Sequence, residues 1–460
     1  MHDAPCWDAE LIKRYDVSGP RYTSYPSAVQ FHTQVGSFEL MQALRDSRKA
    51  LRPLSLYVHL PFCANVCYYC ACNKVITKDR GRTQPYLQRL EQEIRQIGCH
   101  LDRQQTVEQL HLGGGTPTFL NHAELRGLMH SLRTHFSLKA DDCGDYSIEI
   151  DPREADWSTM GLLRELGFNR VSLGVQDLDP AVQRAINRLQ TLGETRTLVE
   201  AARTLQFRSV NIDLIYGLPQ QTVASFALTL DQVLELQPDR LSVFNYAHLP
   251  ERFMPQRRIE RKDLPAPAQK LEMLQRSIEQ LTAAGYRHIG MDHFALPDDD
   301  LACAQEEGRL HRNFQGYGTH GHCDLIGMGV SAISQIGALY CQNITDINGY
   351  QHRLAGGQPA TARGVLRDGD DRLRGAIIEH IICRFELDFA EVEARFCIDF
   401  RLYFAPQWPA LLALVADGLI SLQPNGFKVM PRGRLLVRAI CAVFDRYVAT
   451  LAQSSFSRVI

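Results

Sequence analysis

The sequence predicts an α/β protein: a full or partial (β/α) TIM-like barrel with an amino-terminal arm and a mainly helical carboxy-terminal domain. Between residues 54 and 295, short apolar runs alternate with helix-like stretches, with a repeat of roughly 30 to 40 residues that is typical of βα units. Right-handed crossovers between parallel strands favour a barrel, and an open doubly wound sheet is the alternative. A cluster of cysteines directly after the first apolar run marks the end of the first strand.

Seven apolar or β-branched runs are predicted to be strands, because turn residues bound them. They are residues 54–60, 109–113, 146–150, 170–175, 210–217, 241–247 and 288–294. Helical patterns separate them over residues 85–97, 124–135, 181–188, 194–205 and 268–284. A helix between consecutive strands allows those strands to run parallel.

Changes in composition divide the chain into four predicted segments. Residues 1–53 form a polar, turn-rich arm, and residues 54–300 form the barrel. Residues 301–363 form a connector, with little periodic structure over 301–337. Residues 364–460 are helical, and a hairpin predicted around Asn425 and Gly426 gives them a winged-helix pattern. Because this segment is not strongly basic, a lid or packing domain is favoured over a nucleic-acid reader.

Composition excludes several classes of protein. The 460 residues are 45% hydrophobic and 22% charged, with a formal net charge of −2, so we expect a globular chain that is not a general polyanion binder. No apolar run is long enough for a membrane-spanning helix. The first fifteen residues carry both charge signs without an apolar stretch. We therefore expect no secretion signal and a cytoplasmic location.

Four of the thirteen cysteines fall within ten residues: Cys63, Cys67, Cys70 and Cys72. The first three have the spacing C-x3-C-x2-C at the end of a barrel strand, where such folds hold their chemistry. A four-iron cluster needs four ligands, so three thiolates leave one iron open to a small chelating molecule. Zinc bound by all four cysteines is the alternative, although the final C-x-C is tighter than the usual spacing of structural zinc sites. A disulfide framework does not suit a reducing compartment.

Together with the strand before it, this spacing resembles the radical S-adenosylmethionine (SAM) superfamily. Further segments narrow the resemblance to the oxygen-independent coproporphyrinogen III oxidases. These are PRYTSYP (20–26), HLGGGTP (111–117), SIEIDPRE (147–154), SLGVQD (172–177), NIDLIYGLP (211–219), SVFNYAHLP (242–250) and HRNFQGY (311–317). The resemblance extends from about Tyr15 to the closing FSRVI.

The resemblance implies a partial barrel of the radical SAM type, with one [4Fe-4S] cluster held by Cys63, Cys67 and Cys70 and one SAM molecule on the fourth iron. It assigns no residue to acid–base catalysis. Position by position, the residues implied for this first SAM are Tyr57, Gly114, Glu149 and Ile333. A second SAM is also implied, with contacts at Tyr69, Gly115, Thr116, Gln176, Arg188, Asp213 and Ala247.

Several of these residues can also be interpreted from their own chemistry, without the resemblance. The glycine run after the second strand lets the backbone approach a ligand closely, and Glu149 at the next strand end suits ribose hydroxyls. Arg188 and Asp213 could instead form a plain ion pair between strands. Tyr69 stands where the family often has Phe. Cys72 is not a cluster ligand in the family, and it is equally explained as a small buried thiol or as a catalytic group.

The implied reaction is the anaerobic oxidative decarboxylation of two propionates of coproporphyrinogen III to vinyl groups, which gives protoporphyrinogen IX in heme biosynthesis. Arginine forks suit carboxylates, and the substrate candidates are Arg21, Tyr22, Arg312 and Gln315. The resemblance thus implies that the arm of residues 1–53 contributes to the substrate site and that residues 301–363 cover the substrate and cofactor sites. The implied partners are a low-potential electron donor, flavodoxin- or ferredoxin-like, and an electron acceptor. A monomer without nucleic-acid binding or membrane insertion is expected.

Two related activities remain as alternatives. Heme-binding chaperones keep the cluster motif but generally lack the PRYTSYP arm and the C-x-C ending at Cys72, both of which occur here. A radical methyltransferase or an anaerobic heme-degrading enzyme would share the arrangement with two SAM molecules.

One stretch departs from the family: residues 316–323 carry His320, His322 and Cys323 close together. A mobile polar loop is favoured there over a metal site.

Overall fold

The computed structural model describes residues 5–15, 19–140 and 142–448. The chain forms two compact units. The sheet unit contains residues 31–273 and 322–366, and the terminal unit contains residues 1–30, 274–321 and 367–460. These units do not follow the four predicted segments, because the chain leaves the sheet unit after residue 273 and returns at 322. The closing FSRVI segment lies outside the described residues.

Ten strands of the main sheet lie in the sheet unit, in the order β6-β5-β4-β3-β2-β1-β7-β8-β9-β10. The first seven of this order pair in parallel, and β8, β9 and β10 continue the sheet in antiparallel fashion. The strands are β1 Leu54–Leu60, β2 Thr106–Gly114, β3 Asp145–Ile150, β4 Arg170–Gln176, β5 Ser209–Tyr216, β6 Arg240–Asn245, β7 Asp324–Met328, β8 Ile333–Ile336, β9 Leu339–Asn343 and β10 Thr361–Leu366.

Helices connect most of the parallel strands, and side chains cap several helix starts. Asn121 Oδ1 accepts the amide of Glu124, and Thr191 Oγ1 accepts the amide of Glu194, which satisfies amides that a helix leaves open. The α-helices of the sheet unit are Ser37–Ala50, Thr83–Gly98, His122–His135, Trp157–Glu165, Pro180–Ala185, Leu192–Thr204, Val223–Leu234 and Ile347–Ala355. Its short 3-10 helices are Arg80–Arg82, Pro117–Phe119, Pro152–Glu154, Met254–Arg258 and Arg261–Asp263, and the helix Pro267–Ala283 runs across the boundary between the units.

Three further short strands belong to the sheet unit. Phe62–Cys63 pairs with Val75–Ile76, and Ser137–Leu138 pairs with β2. The core lies along the parallel strands: Leu54, Leu56 and Val58 of β1 are almost fully buried. Burial on both faces is usual for a parallel sheet that helices cover.

Six of the seven predicted strand runs lie on the parallel strands β1 to β6. The seventh, residues 288–294, is instead an antiparallel hairpin of Arg287–Gly290 and His293–Ala295, because Met291 turns the chain with a φ of 53°. The prediction of little periodic structure over 301–337 was wrong. That segment contains β7 and β8, and all five residues of β7 are buried. Asp324 and Gly327 interrupt the apolar pattern of β7, so no strand signal stands out.

The carboxy-terminal part of the terminal unit contains helices and a small antiparallel sheet. The predicted hairpin is confirmed as Ile420–Gln423 and Gly426–Val429, and Glu386–Asp388 completes a three-stranded sheet. Phe389, Phe400 and Phe444 belong to an aromatic core. The helices of this unit are Ala9–Tyr15, Asp300–Glu306, Gly369–Arg384, Phe389–Phe396, Phe400–Tyr403, Trp408–Ala416 and Val437–Ala442, with 3-10 turns Ala28–Gln30, Ala405–Gln407 and Pro431–Gly433. A second hairpin pairs His311–Asn313 with Gly316–Gly318.

None of the helices among the described residues is long and apolar enough to cross a membrane.

A buried carboxylate holds the antiparallel part of the sheet unit to the helix Thr83–Gly98. Glu93 accepts hydrogen bonds from the Gly329 amide, from Asn343 Nδ2 and from the Tyr350 hydroxyl, at 2.7, 2.7 and 2.6 Å. Burial raises the pKa of Glu93 to about 7, and the three donors oppose that rise. A raised carboxyl pKa means that the folded state loses stability as the pH rises from the ordinary value through about 7.

We predict that Tyr350→Phe lowers the free energy of unfolding by about 1.5–3 kcal/mol at pH 8, because a buried carboxylate loses one donor. The loss should be smaller at pH 5, where Glu93 is neutral in both proteins. Urea denaturation at the two pH values measures both losses. Tyr68→Phe, which removes a hydroxyl that Arg258 contacts at the surface, is the control and should change little. Equal losses at pH 5 and pH 8 would contradict the role given to Glu93.

Candidate active site at the carboxyl ends of the parallel strands

A cavity of about 270 Å³ lies where the chain leaves the carboxyl ends of the parallel strands. Most of the site residues predicted from the sequence line it. They are Cys63, Cys67, Tyr69, Cys70, Gly114, Gly115, Thr116, Glu149, Gln176, Arg188 and Asp213. Cys72 also lies in the lining. These residues lie on or after five different strands, so the sheet order brings them together.

The cysteine loop leaves β1 at Leu60 and is closed by backbone hydrogen bonds at its base. The amide of Val75 donates to Pro61 O at 2.7 Å, and the amide of Thr77 donates to Cys63 O at 3.0 Å. Lys74 Nζ donates to the carbonyl oxygens of Cys70 and Cys72, at 2.9 and 3.3 Å. The three motif cysteines therefore sit on a short loop with internal support.

The thiols of this loop differ in acidity. The hydrogen bond from Cys72 and the charge of Lys74 lower the pKa of Cys70 to about 5. Burial raises the pKa of Cys63 to about 12, and the hydroxyl of Thr116, at 3.5 Å from Cys63 Sγ, opposes that rise. A bound metal would hold both as thiolates, because coordination removes the thiol proton.

The glycine turn after β2 packs directly against the cysteine loop. The amide of Gly115 donates to Leu60 O, and the amide of Thr116 donates to Phe62 O, both at 2.8 Å. Gly114 has a φ of 115°, and a Cβ there would lie 2.6 Å from the His59 ring. A Cβ on Gly115 would lie 2.7 Å from the backbone of Pro61. Only residues without a side chain fit this approach.

Two guanidinium groups contact the sulfur of Cys67. Arg188 Nη1 lies 3.5 Å from Cys67 Sγ, and Arg153 Nη2 lies 3.7 Å from it. The same two groups bind Asp151 Oδ2, at 2.9 and 2.6 Å. Burial opposes ionisation of Asp151, but the charges of Arg188 and Arg153 hold its pKa below the ordinary value.

Sequence reasoning missed Asp151 and Arg153, although both belong to the SIEIDPRE segment. The alternative pairing of Arg188 with Asp213 is not formed, because the acid bound to Arg188 is Asp151. A run of charged residues just after a strand end is the signal that could have pointed to them.

Two further carboxylates of the cavity, Glu149 and Asp213, differ in acidity. Glu149 accepts the Gly114 amide at 3.0 Å and faces His111 Nε2 at 3.3 Å. Burial opposes its ionisation, but these contacts hold its pKa below the ordinary value. Burial raises the pKa of Asp213 to about 6, and the donors Ser172 and Asn211, each at 2.8 Å, limit the rise.

Gln176 ends β4 in a strained backbone conformation. Its φ is 71°, in the left-handed region that glycine favours, and the pairing with β5 shifts register between Gly174 and Gln176. A non-glycine residue in this region costs energy, and such residues cluster at functional sites. Gln176 is buried in the cavity wall.

Three predicted cofactor contacts lie outside the cavity lining. The Tyr57 hydroxyl bonds His59 Nδ1 at 3.0 Å, and its ring stacks on His111, the residue that faces Glu149. Gln256 Nε2 donates hydrogen bonds to the carbonyl oxygens of Ala247 and Tyr69. Ile333 begins β8 and contacts Gly327, which pairs with Tyr57.

The four substrate candidates all belong to the terminal unit. Arg21 pairs with Asp292, and the buried Tyr22 hydroxyl donates to Asp445 Oδ2 at 3.2 Å. Arg312 is buried over the Tyr317 ring. Its Nε and Nη1 and the Nε2 of Gln315 have no hydrogen-bond partner in the described part of the chain. These donors are available to an acceptor from outside the chain.

Comparison with known proteins identifies the family. Residues 57–233 match the radical SAM superfamily, and residues 368–436 match the HemN C-terminal domain. The oxygen-independent coproporphyrinogen III oxidase of Pseudomonas aeruginosa is 69% identical over the full length of both chains. The chain belongs to the oxygen-independent coproporphyrinogen III oxidases.

Other members of this family agree with that assignment. The Escherichia coli oxygen-independent coproporphyrinogen III oxidase is 50% identical, and the match covers 99% of this chain and 98% of the relative. A solved structure of the E. coli coproporphyrinogen III oxidase (HemN), described as a radical SAM enzyme, has a TM-score of 0.92 at 48% identity. It covers 97% of this chain and 100% of the other. The predicted fold class is thereby confirmed as the radical SAM fold.

As a radical SAM oxidase, the protein takes a [4Fe-4S] cluster and SAM as cofactors. The donor set of the cavity fits them. Three cysteine sulfurs share one loop, and thiolates are the usual ligands of iron–sulfur clusters. The buried Nε of Arg188 has no hydrogen-bond partner among the described residues, so it can donate to a carboxylate that enters the cavity. Family membership favours the cluster over zinc at these cysteines.

We predict that Gly115→Ala destabilises the protein by about 1–3 kcal/mol, because the new methyl group meets backbone and not a flexible side chain. Thermal or urea denaturation measures the change. The control is Gly127→Ala in the helix His122–His135, where a Cβ meets nothing within 4 Å. That variant should be stabilised by about 0.5–1 kcal/mol. An unchanged stability of Gly115→Ala would show that the turn can move away from the loop.

Proposed function

We propose that Cys63, Cys67 and Cys70 hold the [4Fe-4S] cluster, with one SAM on the fourth iron and a second SAM beside it. We further propose that the protein converts two propionates of coproporphyrinogen III to vinyl groups, giving protoporphyrinogen IX. The observation that carries the proposal is that one cavity brings the three motif cysteines together with most residues predicted for both SAM molecules.

When bound, the cluster and SAM supply one-electron cleavage of the sulfonium and removal of a hydrogen from the propionate carbon next to the macrocycle. The chain's own residues orient and shield these partners. The Gly114–Gly115 turn would offer backbone groups to the amino acid end of SAM, and Glu149, kept ionised by His111 and Gly114, would accept hydrogen bonds from ribose hydroxyls.

The residues proposed for the second SAM lie on or after the strands β1, β2, β4, β5 and β6. Gln176 supplies an amide from a strained turn, and Asp213 supplies a carboxyl group that can act as donor or acceptor, since its pKa is about 6. Arg188 is different from the others, because it also contacts Cys67 and Asp151. Its replacement would disturb the cluster loop as well as the second SAM.

The substrate's propionates need cationic and N–H donors. Arg312 and Gln315 suit this role best among the four candidates, since their buried donors have no partner in the described part of the chain. Each charge-assisted hydrogen bond to a carboxylate contributes about 1.5–3 kcal/mol. We propose a flavodoxin- or ferredoxin-like electron donor, a separate electron acceptor, a monomeric state and a cytoplasmic location.

The proposal is tested by an anaerobic assay of the reconstituted protein with coproporphyrinogen III, SAM and a strong reductant, with products identified by mass. We predict protoporphyrinogen IX together with methionine. Cys67→Ser should retain the fold but lose both the brown chromophore and methionine formation. Cys99→Ser, which alters an exposed thiol on another helix end, is the control and should behave like the unaltered protein. Full activity of Cys67→Ser would sink the ligand assignment.

We predict that Gln176→Ala keeps the cluster but binds one SAM fewer and loses at least about tenfold in turnover, since a positioned polar contact to a cofactor is removed. Equilibrium binding gives the number of SAM molecules, and the iron content gives the cluster. Gln220→Ala is a matched control, because Gln220 is also a glutamine at positive φ (65°) but is exposed. Unchanged SAM stoichiometry and turnover in Gln176→Ala would refute the role given to this residue.

A further inference from the structure

Three metal-ligating side chains meet at the end of the sheet opposite to the cavity. Glu108 lies near the start of β2, and Cys323 comes directly before β7. With His322 they place one ligand atom each within 4.8 Å of one another. His322 Nε2 lies 2.7 Å from Glu108 Oε2, and Cys323 Sγ lies 3.8 Å from the same oxygen.

The strand pairing explains why residues so far apart in sequence meet here. Leu54 at the start of β1 pairs with Val107 on one side and with Asp324 on the other. Glu108 directly follows Val107, and Cys323 directly precedes Asp324. All three ligands belong to the sheet unit.

A β-bulge singles out Glu108. Leu54 pairs with Val107, but Ser55 pairs with Gln109, so Glu108 is the extra residue of β2. Bulges re-aim a side chain out of the regular alternation and are common next to functional sites. The bulge is an observation independent of the three side chains, and it accounts for the contact of Glu108 with His322 and Cys323.

The backbone beside Cys323 is also held in place. The Asp324 amide donates to Pro53 O at 2.9 Å, and Asp324 Oδ1 accepts the Gly337 amide at 2.9 Å. Arg52 Nε lies 2.9 Å from the other oxygen of Asp324. Ligands on supported strand ends keep the fixed geometry that a metal ion needs.

A carboxylate, an imidazole and a thiolate are the ligand types that zinc binds. Lys139 Nζ lies 3.9 Å from Glu108 Oε1, so the ammonium faces one oxygen and the other oxygen, Oε2, faces His322 and Cys323. His322 is exposed and Cys323 is half-buried. The site is therefore open to solvent, which provides an entry path and a water for the fourth position.

We propose that Glu108, His322 and Cys323 bind a zinc ion at the amino ends of β2 and β7, separate from the iron–sulfur site. A water molecule completes the tetrahedron. The ion joins the chain segment that returns to the sheet unit at residue 322 to the strand β2. The site lies at the amino ends of the strands, on the face of the sheet unit away from the cavity.

The test uses the holoenzyme with its cluster intact, incubated with zinc chloride and freed of excess metal by gel filtration. Zinc and iron contents are measured separately, and X-ray absorption at the zinc edge reports the ligands. We expect one equivalent of zinc with one sulfur at about 2.3 Å and nitrogen or oxygen at about 2.0–2.2 Å. Cys323→Ser should remove the sulfur signal, and Glu108→Gln should weaken zinc retention at least about tenfold, both with iron unchanged.

Cys99→Ser, at an exposed thiol elsewhere, is the control and should retain zinc with its sulfur ligand. The proposal is overturned if the holoenzyme retains no zinc. It is equally overturned if the sulfur signal persists in Cys323→Ser, since the zinc would then sit on other cysteines. Neither result depends on the proposed reaction, because no substrate is present.

Discussion

Two backbone hydrogen bonds, from the Gly115 amide to Leu60 O and from the Thr116 amide to Phe62 O, join the glycine turn to the cysteine loop. They hold the exits of two adjacent strands so close together that no Cβ fits between them. The hydroxyl of Thr116 reaches Cys63 Sγ from this contact. The position of the sulfurs relative to the glycine turn therefore depends on a contact made by main-chain atoms.

The electrostatics of the cavity follow from how its charges are grouped. Two guanidinium groups contact Cys67 and share one carboxylate, which leaves one excess positive charge beside a sulfur that we propose as a cluster ligand. Hydrogen bonds and cations near cluster sulfurs stabilise the reduced, more negative form. Glu149, which is ionised, lies on β3, the strand that Asp151 and Arg153 follow, and is held by His111 and Gly114. One strand end therefore supplies both a donor to the sulfur and an ionised carboxylate.

Much of the sheet could be predicted from the sequence, because six parallel strands have continuous apolar runs bounded by turns. The glycine turn and the motif cysteines could also be predicted, because each is a short motif of residues close together in sequence. The partners of Arg188 could not be predicted, since Asp151 and Cys67 reach it only after three strands align. Likewise, β7 has too short and too mixed a pattern to stand out, and Glu108 meets His322 through pairing across β1.

The central position of β1 has a consequence for how the chain assembles. Its neighbour β2 follows within about fifty residues, but its other neighbour, β7, pairs Asp324 with Leu54 across about 270 residues. During synthesis, the amides and carbonyl groups on one edge of β1 therefore stay unpaired until more than two thirds of the chain has left the ribosome. Open apolar strand edges invite association between chains. Nascent chains of this protein should accordingly need chaperone protection for most of translation.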